Sequence, residues 1–403
     1  MALTIPRTPP LQPPAQPAAP VAPFGRTLTA FTLTAVLVSG QLYVVIPLLH
    51  DMAAAWGTPA DSLTWLVTAF GIGYGVGFLV FGPLSDRYGR RRLLMIGLPL
   101  AALTTASVAL SPSPDVALML RGVQGVAVAM FPPAGMAYLG ERLEPRRRVV
   151  AIAAVTGAFL ASAVLLQVAA QLLVDVTGWR GMFVLSAAGF VVTGLGVRAV
   201  MLPDLPREGA GSALSAYRPL PGLLLHRVLG LRYLATIMLM TGFVAVYTGL
   251  QIYGVSSPSE LLALRAAGLP SIVLVPLLMP WLARIPTTTR TVVFLAAGAL
   301  ALAAVGVTGT TVLVLLLALY VAAITGGLPS MNESISAGAG RARGTALALF
   351  SFALAVGGSV GPQVAAAFGG FTPLMYGLAI GMTAAALAVL ASARLHARSA
   401  AAN

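Results

Sequence analysis

Apolar residues along this chain come in long unbroken runs, not in the alternation of a strand or the one-sided stripe of a surface helix. The runs cover about 27–49, 62–84, 93–110, 116–139, 149–174 and 181–202, then about 231–254, 260–283, 291–308, 311–331, 344–368 and 372–393. A helix needs roughly 18 to 20 mostly apolar residues to cross a bilayer, because every backbone polar group must be satisfied within the segment. The pattern therefore predicts twelve membrane-spanning helices, six on each side of the longest polar gap. Short turns carrying Pro, Gly or Arg separate most of them.

The remaining segments complete a five-part organisation. Residues 1–26 are rich in proline, from Pro6 to Pro23, and hold no apolar run long enough for a signal-peptide core, which predicts a disordered, polyproline-like tail. A six-helix bundle follows over 27–202 and a linker over 203–230, the latter with Asp204, Arg207, Glu208, Arg218 and Arg227. A second six-helix bundle spans 231–395, and a short tail closes the chain at 396–403.

Composition narrows the class. Of 403 residues 58% are hydrophobic and 9% charged, where soluble domains carry about 25% charge, so a soluble fold could not hide the apolar surface. The formal net charge of +13 raises the question of nucleic acid. All 24 basic residues are Arg, however, and 21 of them fall in the tails and in alternate inter-span segments, leaving Arg180 in an opposite loop and Arg121 and Arg265 inside spans. Asp51, Asp61, Asp115, Asp175 and Glu260 lie at the other end. Positively charged short loops stay cytoplasmic, so both termini are expected inside, with the charge serving topology and not nucleic acid. Cysteine is absent, which excludes disulfides and Cys-ligated metal, and His50, His226 and His396 sit at span ends, so no metal site is expected.

Between spans 2 and 3 stands GPLSDRYGRRRLL, residues 82–94. Gly82 would let helices approach, Asp86 could pair with Arg or with a helix N-terminus, Gly89 would permit a tight turn, and Arg90, Arg91 and Arg92 would anchor the loop. This stretch is similar to the signature loop of the major facilitator superfamily, G-x-L-x-D-R-x-G-R-R/K. The resemblance implies a conformational role for Gly82, Asp86, Arg87, Gly89, Arg90 and Arg91. It also implies that the carboxylate fastens the loop to the start of helix 11, near Arg343 to Thr345, when the protein opens outward.

LRGVQG, residues 120–125, resembles the L-x-x-R-x-x-x-G pattern of drug:proton antiporters and puts Arg121 inside an apolar span, with Gln124 on a similar face. An intramembrane guanidinium costs at least ~2.5–3.5 kcal/mol near the centre, which argues for function. Snorkelling to the nearby rim is the competing account. QLYVVIPLL (41–49), DVTGWRGMF (175–183) and RGTALALFSFALAVGGSVGP (343–362) extend the likeness to the twelve-helix drug and sugar-efflux branch. Three departures stand against it. Span 5 lacks the branch's Gly-Pro motif. The loop PWLARIPTTTR (280–290) is a degraded copy of the signature with Arg284 in the acidic position, and Gln41 occupies a place where many relatives carry an acid.

Polar residues inside spans are the candidates for contact with cargo: Gln41 and Tyr43 in span 1, Gln167 and Gln171 in span 5, Tyr247 and Gln251 in span 7. The last two pairs share a helix face at i, i+4 spacing. Hydrogen bonding between helices is the competing account of each. GIGYGVG (71–77) reads as helix packing through Gly71/Gly75 and Gly73/Gly77, since no strand precedes it. GGSVG (357–361) lies in an apolar span and not at the strand-to-helix elbow a serine hydrolase needs, so no enzyme is expected. No Walker sequence exists and no Lys at all, which excludes an ATP site of that kind.

The expected fold is an all-α membrane protein of the major-facilitator type, with two pseudo-symmetric six-helix bundles about a midplane cavity. The expected function is proton-coupled efflux of a small amphipathic molecule (a drug, sugar or secondary metabolite) by a monomer in the bacterial inner membrane. It would use the proton gradient and no other cofactor. Uptake or facilitated diffusion of a nutrient is the alternative; a non-transporting receptor would need a soluble sensing domain for which the polar gap is too short.

Overall fold

The computed structural model describes residues 21–204, 218, 220–253, 257–305, 310–340 and 343–401. The tails expected over 1–26 and 396–403 and the linker over 203–230 fall partly outside them, and all regular structure among the described residues is helical.

The first half contains α1 (Phe24–Gly40), α2 (Trp65–Tyr88), α3 (Arg90–Ala109), α4 (Pro114–Arg142) and a 56-residue helical stretch, Pro145–Val200. At ~1.5 Å per residue that stretch would be far longer than a bilayer is thick. It turns back at Gly178, whose φ of 65° suits a residue without a Cβ. Leu166 and Gly189, almost equidistant from that point in sequence, both pack on the end of α1, against Gly40 and Leu37. Its arms, 145–177 and 179–200, are therefore antiparallel and are called α5 and α6.

The second half contains α7 (Arg227–Ile252), α8 (Pro258–Ala266 continued by Leu269–Leu282), α9 (Thr287–Ala304), α10 (Thr310–Gly338), α11 (Arg343–Ala367) and α12 (Phe371–Ala401). Ten described helices are long and apolar enough to cross a membrane. One of these is the α5–α6 hairpin, and α1 falls one residue short of 18 before continuing through tight turns to Trp56, which brings the spans to twelve. α1 begins at Phe24, inside the stretch expected to be tail, because the proline run ends at Pro23, which stands at the N-cap.

Among the described residues two helix pairings stand out between the halves, alongside contacts of α7 with the turns after α1. α2 packs on α11, and α5 packs on α8. A shift of six helices converts one pairing into the other, as a pseudo-two-fold relation requires. The repeat extends to side chains: Arg90 at the start of α3 bonds Glu141 at the end of α4 at 3.0 Å, and Arg290 near the start of α9 pairs with Glu333 near the end of α10. Glu333 also accepts from Thr287 at 2.9 Å and so joins α9 to α10 twice.

α2 serves two neighbours through its glycines. Gly73 and Gly77 meet the backbone and Ala129 of α4, while Gly71 and Gly75 meet Ser359 and Ala355 of α11. The two interleaved G-x-x-x-G pairs thus face different helices.

Candidate functional site

A small cavity of about 30 Å³ lies between the halves, lined by three helices and the turn after α1. The turn after α1 contributes Tyr43, α5 Phe159, Leu160, Ala163 and Val164, and α7 Met240 and Phe243; Val321, Ile324, Thr325 and Leu328 come from α10. These positions fall near the middle of α5, α7 and α10, so the cavity sits at mid-depth. Its polar groups are the Tyr43 and Thr325 hydroxyls against an otherwise apolar wall. Tyr43 meets Phe243 edge-on at 6.1 Å, and Phe243 meets Tyr247 at 5.3 Å, forming an aromatic ladder that rises along α7.

The ladder leads to a polar cluster that closes the Arg-poor end. Arg265 of α8 is 1% exposed and donates to Gln171 of α5 at 2.5 Å and to the Gln251 carbonyl of α7. Gln251 donates from its amide nitrogen to the Pro47 carbonyl at 3.2 Å and shares a 2.7 Å hydrogen bond with His50 Nδ1. At the same end Thr68 donates to the Ser359 carbonyl at 2.6 Å, and Gln363 donates to Thr64 and Thr68. All of these bonds except that between Arg265 and Gln251 join one half to the other.

Arg121 is fully buried and does not snorkel. It donates to the Leu66 carbonyl at 3.2 Å, to Gln124 Oε1 at 2.7 Å and to the Gln41 carbonyl at 2.9 Å, with its guanidinium 4.4 Å from the Phe70 ring centroid. Gln124 in turn donates to the Gln41 side chain and to Thr105. The reason lies in α1. Its helix ends at Gly40, so the Gln41 carbonyl belongs to the orphan acceptors of a helix C-terminus, and a cation is the favoured partner there. Arg121 therefore holds the break in α1 two residues before Tyr43 reaches the cavity.

The signature loop is built as a tight corner. α2 ends at Tyr88, Gly89 takes φ 104°, and α3 starts at Arg90. Asp86, its side chain 69% exposed, pairs with Arg90, which also donates to Ser85 at 2.7 Å. The Arg87 guanidinium lies 5.6 Å from the Tyr88 ring centroid. The Asp204 carboxylate, arriving after α6, accepts from the Arg91 and Arg92 backbone N–H groups at 2.9 and 3.3 Å and so caps α3. α11 starts at Arg343 as expected, but here Asp86 is bridged to Arg90 and not to that helix. Gly82 makes no close approach: a Cβ there would meet open space, because α11 lies against α2 further up, at Gly71 and Gly75.

Of the cargo candidates, Tyr43 alone lines the cavity. Gln41 and Gln124 belong to the Arg121 network, and Gln171 and Gln251 to the Arg265 cluster. Gln167 donates back to the Ala163 carbonyl of its own helix at 2.6 Å, leaving its Oε1 without a hydrogen bond, and the buried Tyr247 hydroxyl likewise has none. The sequence does not single out His50, Thr105, Glu141 or Asp204 as functional positions, and it marks Arg265 only as an arginine inside a span. The signal for Arg265 was the one that singled out Arg121, a guanidinium within an apolar run.

Residues 31–362 match the family described as Major Facilitator Superfamily. The chain is 42% identical over 106 residues to the uncharacterized MFS-type transporter YybF of Bacillus subtilis (strain 168), covering 26% of each. It is 28% identical over 196 residues to the multidrug transporter MdfA of Edwardsiella ictaluri (strain 93-146), covering 48% of each. These matches span between a quarter and a half of the relatives' own length. In fold, the chain is similar to the inward-open xylose transporter XylE from E. coli, with a TM-score of 0.72, 18% identity, and coverage of 90% of this chain and 94% of that one.

Proposed function

We propose that this chain, which belongs to the major facilitator superfamily, exports a small amphipathic molecule by alternating access, driven by the proton gradient. It is a multi-pass membrane transporter; direction, coupling and cargo are the proposal. The observation that carries the reading is the cavity between the halves, closed at its Arg-poor end by the Arg265 cluster and the α2–α11 contacts. Taking the Arg-rich end as cytoplasmic, the end held shut by these bonds is the outer one. The lining, apolar but for Tyr43 and Thr325, suits a compound that is mostly hydrophobic with one or two hydrogen-bonding groups.

Release outside then requires three events. The bonds of Arg265 and Gln251 to the first half break, the α2–α11 contact slides, and the signature loop closes the other end. Both halves that line the cavity come from one chain, so a monomer suffices, and no nucleotide enters the cycle. The name of the multidrug transporter MdfA among the relatives is in keeping with this cargo class.

Uptake or facilitated diffusion is the second reading, and one observation favours it: among the described residues no Asp or Glu is buried, so no membrane-embedded carboxylate carries a proton. Inside-out vesicles offered a chemically mixed panel separate the two. Accumulation driven by an imposed proton gradient and abolished by a protonophore supports export by antiport. Equilibration that ignores the gradient refutes it.

A further inference from the structure

The hydrogen-bond pattern at the Arg-poor end fixes a protonation state. Arg265 has only donors, so the Gln251 atom facing it must be the carbonyl oxygen. That choice orients the amide: its nitrogen faces Pro47 and His50, and with two hydrogens it donates one to the Pro47 carbonyl and one to His50 Nδ1. His50 must therefore offer a lone pair at Nδ1, which only the neutral ring with its proton on Nε2 has. Turning the Gln251 amide over to suit a protonated ring would set its nitrogen against Arg265 and surrender the Pro47 bond as well. One proton on Nδ1 thus conflicts with all three contacts of Gln251.

The neighbourhood gives that proton no compensation within the cluster. Arg265 of α8 brings like charge to the same amide, and Tyr247 lies one turn away on α7. Gln171 of α5 is committed to Arg265. Asp51 follows His50 in the chain and is exposed, as are Asp61 before α2 and Asp175 near the α5–α6 corner, while Arg180 of that corner donates to the Ser111 carbonyl. The His50 side chain itself is open to solution at the Arg-poor face.

We infer that His50 is a proton-binding site of the outer gate: a proton taken up from the Arg-poor side at Nδ1 releases Gln251 and Arg265 and opens that end. Neutral His50 belongs to the closed end and protonated His50 to the open one, so acid on that side shifts the population towards opening. This gives the protein a titratable element at the interface of its halves, where no described carboxylate is buried. The inference rests on the alternating-access reading.

The chain has no cysteine, so paired spin labels report cleanly in the full-length protein in lipid nanodiscs. One pair, Ala55→Cys with Ala367→Cys, spans the Arg-poor end; a second, Arg146→Cys with Arg284→Cys, spans the Arg-rich end. Between about pH 8 and pH 5.5 the long-distance population of the first pair should grow roughly tenfold, the equivalent of losing one to two hydrogen bonds. His50→Gln places a neutral amide oxygen where Nδ1 stood and should hold that pair short at every pH. An equal acid response in His50→Gln, or no response in the parent chain while the second pair still exchanges between two distances, overturns the proton site alone. If neither pair ever leaves a single distance, the alternating-access reading falls with it.

Discussion

Gly89 and Asp204 meet across the signature corner, and their coupling can be worked out in advance. Asp204→Ala removes a carboxylate that caps two backbone N–H groups of α3. Loss of such a cap costs about 0.5–2 kcal/mol, and loss of its charge at a helix N-terminus about 0.3–1 kcal/mol more. Together that is roughly 1–3 kcal/mol. Gly89→Ala forces an L side chain into φ 104° at about 1–3 kcal/mol, and its Cβ would overlap the Asp204 carboxylate, so the cap is displaced as well. The single Gly89→Ala variant should then lose about 2–6 kcal/mol. Removing Asp204 in that background takes away nothing further, so the double variant should be no less stable than Gly89→Ala alone. The cycle should show a coupling of about 1–3 kcal/mol. Unfolding in mixed micelles followed by tryptophan fluorescence measures all four corners. Additive losses would refute the claim that Gly89 is required by the Asp204 cap.

Three further outcomes are expected. Arg121→Lys should fold but lose transport by roughly tenfold or more in kcat/KM, since one ammonium cannot reproduce the planar fork that reaches Leu66, Gln41 and Gln124; parental transport would remove Arg121 from the mechanism. Arg265→Met should strip Gln171 and Gln251 of their donor and make a cysteine at Ala163 several-fold faster to label with an impermeant maleimide from the Arg-poor side, unchanged labelling arguing against the latch. Tyr43→Phe should raise KM up to about tenfold for cargo with a hydrogen-bonding group and leave purely apolar cargo unaffected, a split that uniform loss would contradict.

The spans and the signature corner were legible because their physics is local. Twenty apolar residues announce a membrane helix wherever they pack, and Asp86, Gly89 and the Arg run announce a charged corner from thirteen consecutive positions. Arg121 stood out for the same reason, but its role did not: the carbonyl it satisfies belongs to Gln41, eighty residues earlier, and is an orphan only because α1 stops at Gly40. The closure of the Arg-poor end was invisible in principle, since His50, Gln171, Gln251 and Arg265 come from four elements that only the packing of the halves brings together. The bond of Gln167 to its own helix was not legible either, because helical spacing tells which face a side chain leaves from, not that it folds back on its own backbone. A glycine at 82 suggests a close approach, yet the helix that would approach it is engaged higher on α2.

The interleaved glycines of α2 carry a practical consequence. A methyl group at Gly73 would strike the α4 backbone, within one half, whereas a methyl at Gly71 would strike Ser359 of α11, across the interface that the proposed alternating access rearranges. The first substitution should appear in a mutational screen as missing protein. The second should appear as abundant protein arrested with its other mouth shut, a ready-made trap for capturing the opposite state by crystallography or electron microscopy. Two residues apart on one helix, the same chemical change would separate assembly from turnover.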